Sequence, residues 1–487
     1  MLCEFENVAT MTEARKIMIK EQIENDRKIT MLYKKRGSIR DFNDENRIEN
    51  YGGYNKSKAL SLKDRFTDKN VINGTIDLSS FSIYQITSLE DAFSDCIELE
   101  TIDLSSLNLD FCTSFRRAFS GCVNLRSVKF GHQCTMNAND MSYLFHNCKK
   151  LSNIDTGGYD KNQLDWNTFQ VTDFSNMFCN CESLTCLNLD SFETNNIITT
   201  SKMFMNCKRL LGLRIGNWNV SNILDLSFMF AGCQELKYLD VAEWNLNIPK
   251  STRYMFYQCE SLQYLDLSTW KCKPDDMSSM FENCRCIEEI DISSIRSSSL
   301  FDLSNIFYDC ESLVSLKIPT DILNTETSMT RMMSNCKLLP KITIESKLSE
   351  DVREMFRNCE SLKEIKFIPN QFDDVKYMDD MFSNCSNITV LDLSKQNSHP
   401  LTAAYLFNNC KKLEVLDMSG IDLANADAYG AFNNLDKLQL IVMKEIYGLY
   451  YIKDDWLYLA GEKFSIYYKF KRENGILTVA LSNDIEL

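Results

Sequence analysis

Histidine is almost missing: the chain of 487 residues has three, His132, His146 and His399. They lie far apart, with no serine or cysteine motif around them, which argues against a His-based nucleophile system. Glycine (16) and proline (6) are scarce, so long disordered linkers are not expected, and no Gly-rich phosphate loop of either common type occurs. No apolar run reaches the roughly 18 residues that a membrane-spanning helix needs. The richest stretch, Leu438 to Ile452, is broken by Lys444, Glu445 and Gly448, so no membrane insertion is expected. The start, Met1-Leu2-Cys3-Glu4-Phe5-Glu6, carries acids where a signal peptide has bases, and no apolar core follows. Neither conventional secretion nor lipid attachment at Cys3 is read there, and a cytoplasmic or virion-incorporated location is the expectation.

Acids outnumber bases, 68 to 53, for a net charge of −15. Such a chain repels phosphate backbones, so no nucleic-acid partner is expected. The first forty residues hold a local basic excess (Arg15, Lys16, Lys20, Arg27, Lys28, Lys34, Lys35, Arg36). It reads as the solvated face of a helix or, alternatively, as an arm for nucleic acid or membrane.

What the chain has in excess is repetition. The pattern Phe-x-x-Cys-x-x-Leu-x-x-(Leu/Ile)-x-(Leu/Ile) recurs around Cys96, Cys122, Cys148, Cys181, Cys207, Cys233, Cys259, Cys284, Cys310, Cys336, Cys359, Cys385 and Cys410, mostly 25 or 26 residues apart. A degenerate copy follows with Leu435 in place of cysteine, and Ile76-Asp77-Leu78-Ser79 repeats the strand half beforehand. A period in the twenties with Leu-x-x-Leu-x-Leu marks a leucine-rich-repeat solenoid. Leu265 and Leu267 alternate with Tyr264 and Asp266, the period of a strand with one buried face. Met277, Met280, Phe281 and Cys284 fall at i, i+3, i+4 and i+7, the period of a short helix. The expectation is an α/β solenoid: a right-handed coil with one parallel sheet of 15 rungs, about 70 Å long, and short helices on the other face.

The unit resembles the 26-residue repeat of the BspA-like leucine-rich-repeat surface proteins. Leu239-Asp240-Val241-Ala242-Glu243-Trp244 and Leu265-Asp266-Leu267-Ser268-Thr269-Trp270 match that family's Leu-Asp-Leu-Ser-x-(Trp/Phe), and Met255-Phe256-Tyr257-Gln258-Cys259 matches its Met-Phe-x-x-Cys. The resemblance covers about residues 75–443. It implies a solenoid fold and, because family members are often exported bacterial adhesins, an adhesin-like role by an unusual export route.

Twenty cysteines raise the question of disulfides or zinc. Thirteen sit at one repeat position, where a cysteine acts as a small buried apolar group. The others are Cys3, Cys112, Cys134, Cys179, Cys186, Cys272 and Cys286. With no Cys-x-x-Cys pair, reduced thiols are expected and neither metal nor cofactor is. Carboxylates recur with the repeat, which marks architecture rather than a tuned acid–base pair, so the chain is not read as an enzyme.

A solenoid binds along rows of side chains. Seven residues past each motif cysteine stands an outward strand position, aspartate in seven of thirteen copies. The plain reading is a structural preference for Asp. The functional one is a patch of Tyr238, Asp240, Tyr264, Asp266 and Asp291, acids beside tyrosines, facing a protein or glycan. The stacked carboxylates would also attract a cation or a basic partner. Trp218, Trp244 and Trp270, eleven past the cysteine, read as core, or else as a ligand-stacking ladder.

Three regions result: a helical arm and cap (residues 1–74), the solenoid (75–443), and an antiparallel β cap or attachment module (444–487), with a hairpin turn at Asn474-Gly475. Thr12 to about Arg36 reads as the amphipathic helix of that arm, and either end is able to serve in assembly. A binding scaffold is the first reading, and a structural component of a particle such as a phage virion or appendage the second.

Overall fold

The computed structural model describes residues 59–131, 135, 137–156, 164–246, 249–295, 302–319, 327–444, 450–453, 456–459, 462–466 and 469–481. The helix expected over Thr12–Arg36 lies outside them, as do His132, Cys3 and Cys134.

The chain winds into a β-solenoid in which equivalent residues of successive coils stand above one another. Short strands five to seven residues past each motif cysteine pair in parallel and in register, as in Thr101↔Ser127, Ile102↔Val128 and Asp103↔Lys129. In this pair the inward residues Ile102 and Val128 are buried and the flanking ones face out. One continuous parallel sheet was expected, but the ladder is interrupted. The strands group as Thr101–Asp103, Ser127–Lys129 and Asn153–Asp155; Cys186–Asn188 and Gly212–Arg214; Glu289–Asp291 and Ser315–Lys317; Lys341–Ile344 and Glu364–Phe367; and the last coils. Where Tyr238 meets Tyr264 the ladder thins to a single bridge. Repeat length does not decide where the ladder lapses: the 23-residue step from Lys341–Ile344 to Glu364–Phe367 pairs in register, whereas the 26-residue step from Ser315–Lys317 to Lys341–Ile344 does not pair.

The short helices are replaced by turns. Met277, Met280, Phe281 and Cys284 are buried on one stripe as their spacing requires, yet the helical content among the described residues is two single 3₁₀ turns, Asp68–Asn70 and Ser79–Phe81. In each of fourteen coils the residues one and five before the cysteine position (Ser279 and Asn283 here) have φ between +50° and +80°. A right-handed helix cannot contain such residues. They turn every second N–H out of the coil and toward the next. Phe115, Arg117, Phe119 and Gly121 donate to the carbonyls of Asp140, Ser142, Leu144 and His146 at 2.8–3.0 Å, while Ala118, Ser120 and Cys122 close turns onto Phe115, Arg117 and Phe119. This second ladder satisfies backbone groups that a short helix would leave open at both ends.

The interior is a set of columns. The phenylalanine before each cysteine stacks on its neighbours from Phe66 to Phe307, with centroids 4.8–5.8 Å apart. The stack stops where Met333 takes the place and resumes from Phe356 to Phe432. Trp218, Trp244 and Trp270 form a buried stacked column too, and each Nε1 donates to a backbone carbonyl of the preceding coil at 3.1–3.3 Å. They are core, as read. The motif thiols from Cys122 to Cys410 are buried, and each Sγ donates to the carbonyl three residues before the preceding coil's cysteine, at 3.0–3.3 Å (Cys259 to Phe230, 3.2 Å). Burial raises their pKa, to about 12 at Cys259 and Cys359.

Among the described residues the stacking already includes Ala59, before residue 75: Ala59–Ser61 pairs with Gln85–Ser88, and Phe66 stacks on Phe93. At the other end Leu440–Lys444 pairs in antiparallel with Ile476–Ala480, itself paired with Lys469–Glu473. Asn474 and Gly475, both at positive φ, form the turn between the last two. Tyr450–Lys453, Trp456–Leu459 and Glu462–Ile466 make a separate antiparallel sheet.

Outside the core, asparagines form a ladder at the residue before the cysteine. Asn384 Nδ2 donates to Asn358 Oδ1 at 2.7 Å and Asn384 Oδ1 accepts from Asn409 at 2.8 Å. Asparagine suits a site that needs both positive φ and a side-chain donor and acceptor. Asn384→Ala should lower unfolding free energy by about 2–3 kcal/mol, through backbone strain and two lost hydrogen bonds. Asn384→Gly, which keeps the backbone at ease, should cost less. Equal losses in urea denaturation would refute the backbone part of this account. Thiolates, not thiols, react, so brief native alkylation followed by peptide mass analysis should mark exposed Cys186 and Cys286 and spare the motif cysteines until denaturant is added. Labelling of Cys233 or Cys259 at the denatured rate would contradict the buried column.

Candidate binding face

The outward strand positions five and seven past the cysteine form two rows along the solenoid. Rows of this kind follow from in-register parallel pairing, which places like positions one strand spacing apart. The second row carries the recurrent aspartates, and their local role is visible. Asp266 Oδ1 accepts from the Ser268 amide (3.1 Å) and hydroxyl (2.7 Å). Asp291 accepts likewise from Ser293 at 3.0 and 2.6 Å. Asp103, Asp392 and Asp417 do the same with the serine two residues on. An Asp-x-Ser pair therefore fixes the turn leaving each of these five strands, which accounts for the recurrence without a ligand.

The row's charges are also answered from neighbouring coils. Lys129 Nζ reaches Asp103 Oδ2 at 2.8 Å, and Lys317 Nζ reaches Asp291 Oδ2 at 2.9 Å. The Lys129 ammonium and the Ser105 hydroxyl hold the Asp103 carboxyl down at about 2. At Asp291, burial pushes the carboxyl up, but Ser293 and Lys317 outweigh it and the net shift is downward. Among the described residues no three His, Cys, Asp or Glu side chains gather so as to hold a metal ion.

The five residues of the expected patch do come together on three consecutive coils. Tyr238 and Tyr264 are joined by a parallel bridge; Asp240 and Asp266 lie two residues further along the same coils, and Asp291 follows on the next. All five are half-buried rather than fully exposed, because a side chain on a stacked strand is covered by neighbours on two sides. Asp240 accepts weakly from the Ala242 amide at 3.4 Å, which has no serine hydroxyl to add.

The sequence reading missed a second cluster, on the turn face. Phe228 and Tyr254 stack at 4.6 Å with an interplanar angle of 7°. Lys202 Nζ and the Arg253 guanidinium lie 5.5 and 5.7 Å from the Phe228 centroid. Tyr257 meets Tyr254 edge-on at 5.4 Å. The repeat consensus has no preferred residue at these positions, so only the neighbouring of unlike coils, 26 residues apart, would have exposed the cluster.

The model of one family, described as "Mycoplasma protein of unknown function, DUF285", matches residues 37–159, 135–236, 172–289, 225–343 and 327–441. No curated protein matches the chain. Among solved structures, it is similar to a leucine-rich repeat protein from Bacteroides ovatus at 18% identity, covering 73% of this chain and 82% of that one with a TM-score of 0.44. A leucine rich cell surface protein from Faecalibacterium prausnitzii is similar at 13% identity, covering 63% and 82% with a TM-score of 0.32. A leucine-rich repeat protein from Eubacterium ventriosum is similar at 13% identity, covering 64% and 83% with a TM-score of 0.35. These superpositions are partial, and the fold assignment rests on the coils themselves. The five overlapping family matches span residues 37–441 without a gap, so the chain belongs to the family described as Mycoplasma protein of unknown function, DUF285.

Proposed function

We propose that the chain is a non-catalytic binding scaffold, built on BspA-like repeats, that recognises a protein or glycan through its strand face. One observation carries this reading: Tyr238, Asp240, Tyr264, Asp266 and Asp291 occupy adjacent positions on three consecutive coils. Elsewhere the first row holds no aromatic residue: most positions are small or charged, such as Thr101, Ser127, Gly212 and Ser315, and its last coils carry Val390 and Val415. Two neighbouring tyrosines break that series and give an amphipathic surface on a rigid backbone. Tyrosine loses little rotamer entropy on binding for the area it covers, and half-burial holds the rings in place before a partner arrives.

Replacing Tyr238 and Tyr264 together with alanine should weaken binding of a partner purified with the native protein at least tenfold, measured by calorimetry. The thermal melt should stay near that of the parent, because neither ring belongs to the buried columns. Unchanged affinity in a folded double variant would remove the patch from consideration.

A further inference from the structure

Phe256, Phe281 and Phe307 stack in the core with centroids 5.5 and 5.8 Å apart. The residue after each faces outward: Tyr257, Glu282 and Tyr308, all half-buried. Their backbones run level, since the Gln258 amide donates to Glu282 O and the Asn283 amide to Tyr308 O, each at 2.8 Å. A carboxylate therefore stands between two tyrosines, one coil spacing from each. Tyr254 flanks the same position, edge-on to Tyr257 at 5.4 Å. One face of Tyr254 is stacked on Phe228. The next residue in its column is Ser279, which has no ring to stack on the other.

Glu282 is an acid short of a counter-charge. Among the described residues no Lys, Arg or His lies within ion-pair distance of it. The guanidinium that acts on it, that of Arg331, is committed to Glu354 at 2.7 Å. Burial raises the Glu282 carboxyl above its ordinary range against the opposing pull of Ser279. A half-buried anion beside aromatic faces attracts a cation, because ring quadrupoles and carboxylate act on it together. The next coils of the same surface show that its rings accept cations, since Lys202 and Arg253 already approach Phe228.

We propose that Tyr254, Tyr257, Glu282 and Tyr308 form a site for an alkylammonium group, the side chain of a lysine on a partner protein. The site lies on the turn face and is independent of the strand-face patch. The test is NMR of the full chain with labelled tyrosine rings, titrated with N-acetyl-lysine methylamide, its norleucine analogue, which lacks the charge, and tetramethylammonium. Saturable shifts of the Tyr257 and Tyr308 rings are expected with the lysine compound and none with norleucine. Glu282→Gln should weaken the response at least fivefold, while Tyr238→Ala/Tyr264→Ala leaves it unchanged. No saturable shift with the lysine compound, or an equal response to norleucine, would overturn the site. Binding of tetramethylammonium alone would overturn the lysine assignment. Because the wild-type comparison of lysine with norleucine needs no substitution, a misfolded Glu282→Gln protein would not protect the proposal.

Discussion

The structure depends on a hydrogen bond that leaves its own coil. In the turn before each cysteine position, alternate amides point along the solenoid axis and bond to the next coil. This geometry requires two left-handed residues per coil, and once they are in place the remaining positions have little freedom. The residues three and four before the cysteine and the cysteine itself are turned inward, so phenylalanine meets phenylalanine and thiol meets carbonyl along most of the stack. A single coil has no other way to bury its apolar side. Stability is therefore a sum over interfaces between neighbours rather than a property of any one repeat.

The solenoid and its inward residues were legible from the period and from the Leu-x-x-Leu-x-Leu register. The turns were not, because Met277, Met280, Phe281 and Cys284 satisfy a helical spacing and a stacked-turn spacing equally well. A signal was present one residue before the cysteine, where thirteen of fourteen coils carry Asn, Asp or Gly (Gln258 is the exception). Those residue types tolerate positive φ, and in the middle of a supposed helix they argue for a turn. At Gly121 a Cβ would run into the Asp95 carboxylate, so the choice of glycine there follows from packing as well as from backbone conformation. The strand-face patch was legible as a set of positions, while its half-burial and the capping role of its aspartates needed the stacked neighbours.

A repeat protein presents the same side chain at the same height many times, and recognition resides in departures from that rule. Two tyrosines in a row that holds no other ring are one departure. A glutamate between two tyrosines, in a column that holds neither residue type elsewhere, is another. The two lie on different faces, so a partner could engage one without covering the other. The lysines that answer Asp103 and Asp291 show the opposite tendency, in which neighbouring coils neutralise each other and leave an unremarkable surface. Such exposed pairs add little stability.

The coil of Met329, Met332 and Met333 differs from the rest. There the phenylalanine stack stops, and the strand ladder also lapses, since Ser315–Lys317 and Lys341–Ile344 are not paired. The contacts that cross the gap include the turn ladder, the thiol bonds of Cys336 and Cys359 at 3.3 and 3.1 Å, the Asn335–Asp309 hydrogen bond and the Lys337–Glu311 ion pair. Methionine fills space adaptably but specifies position weakly. The rod is thus two stiff lengths joined by a compliant splice, and a bending or tensile load shared along it would concentrate its deformation there.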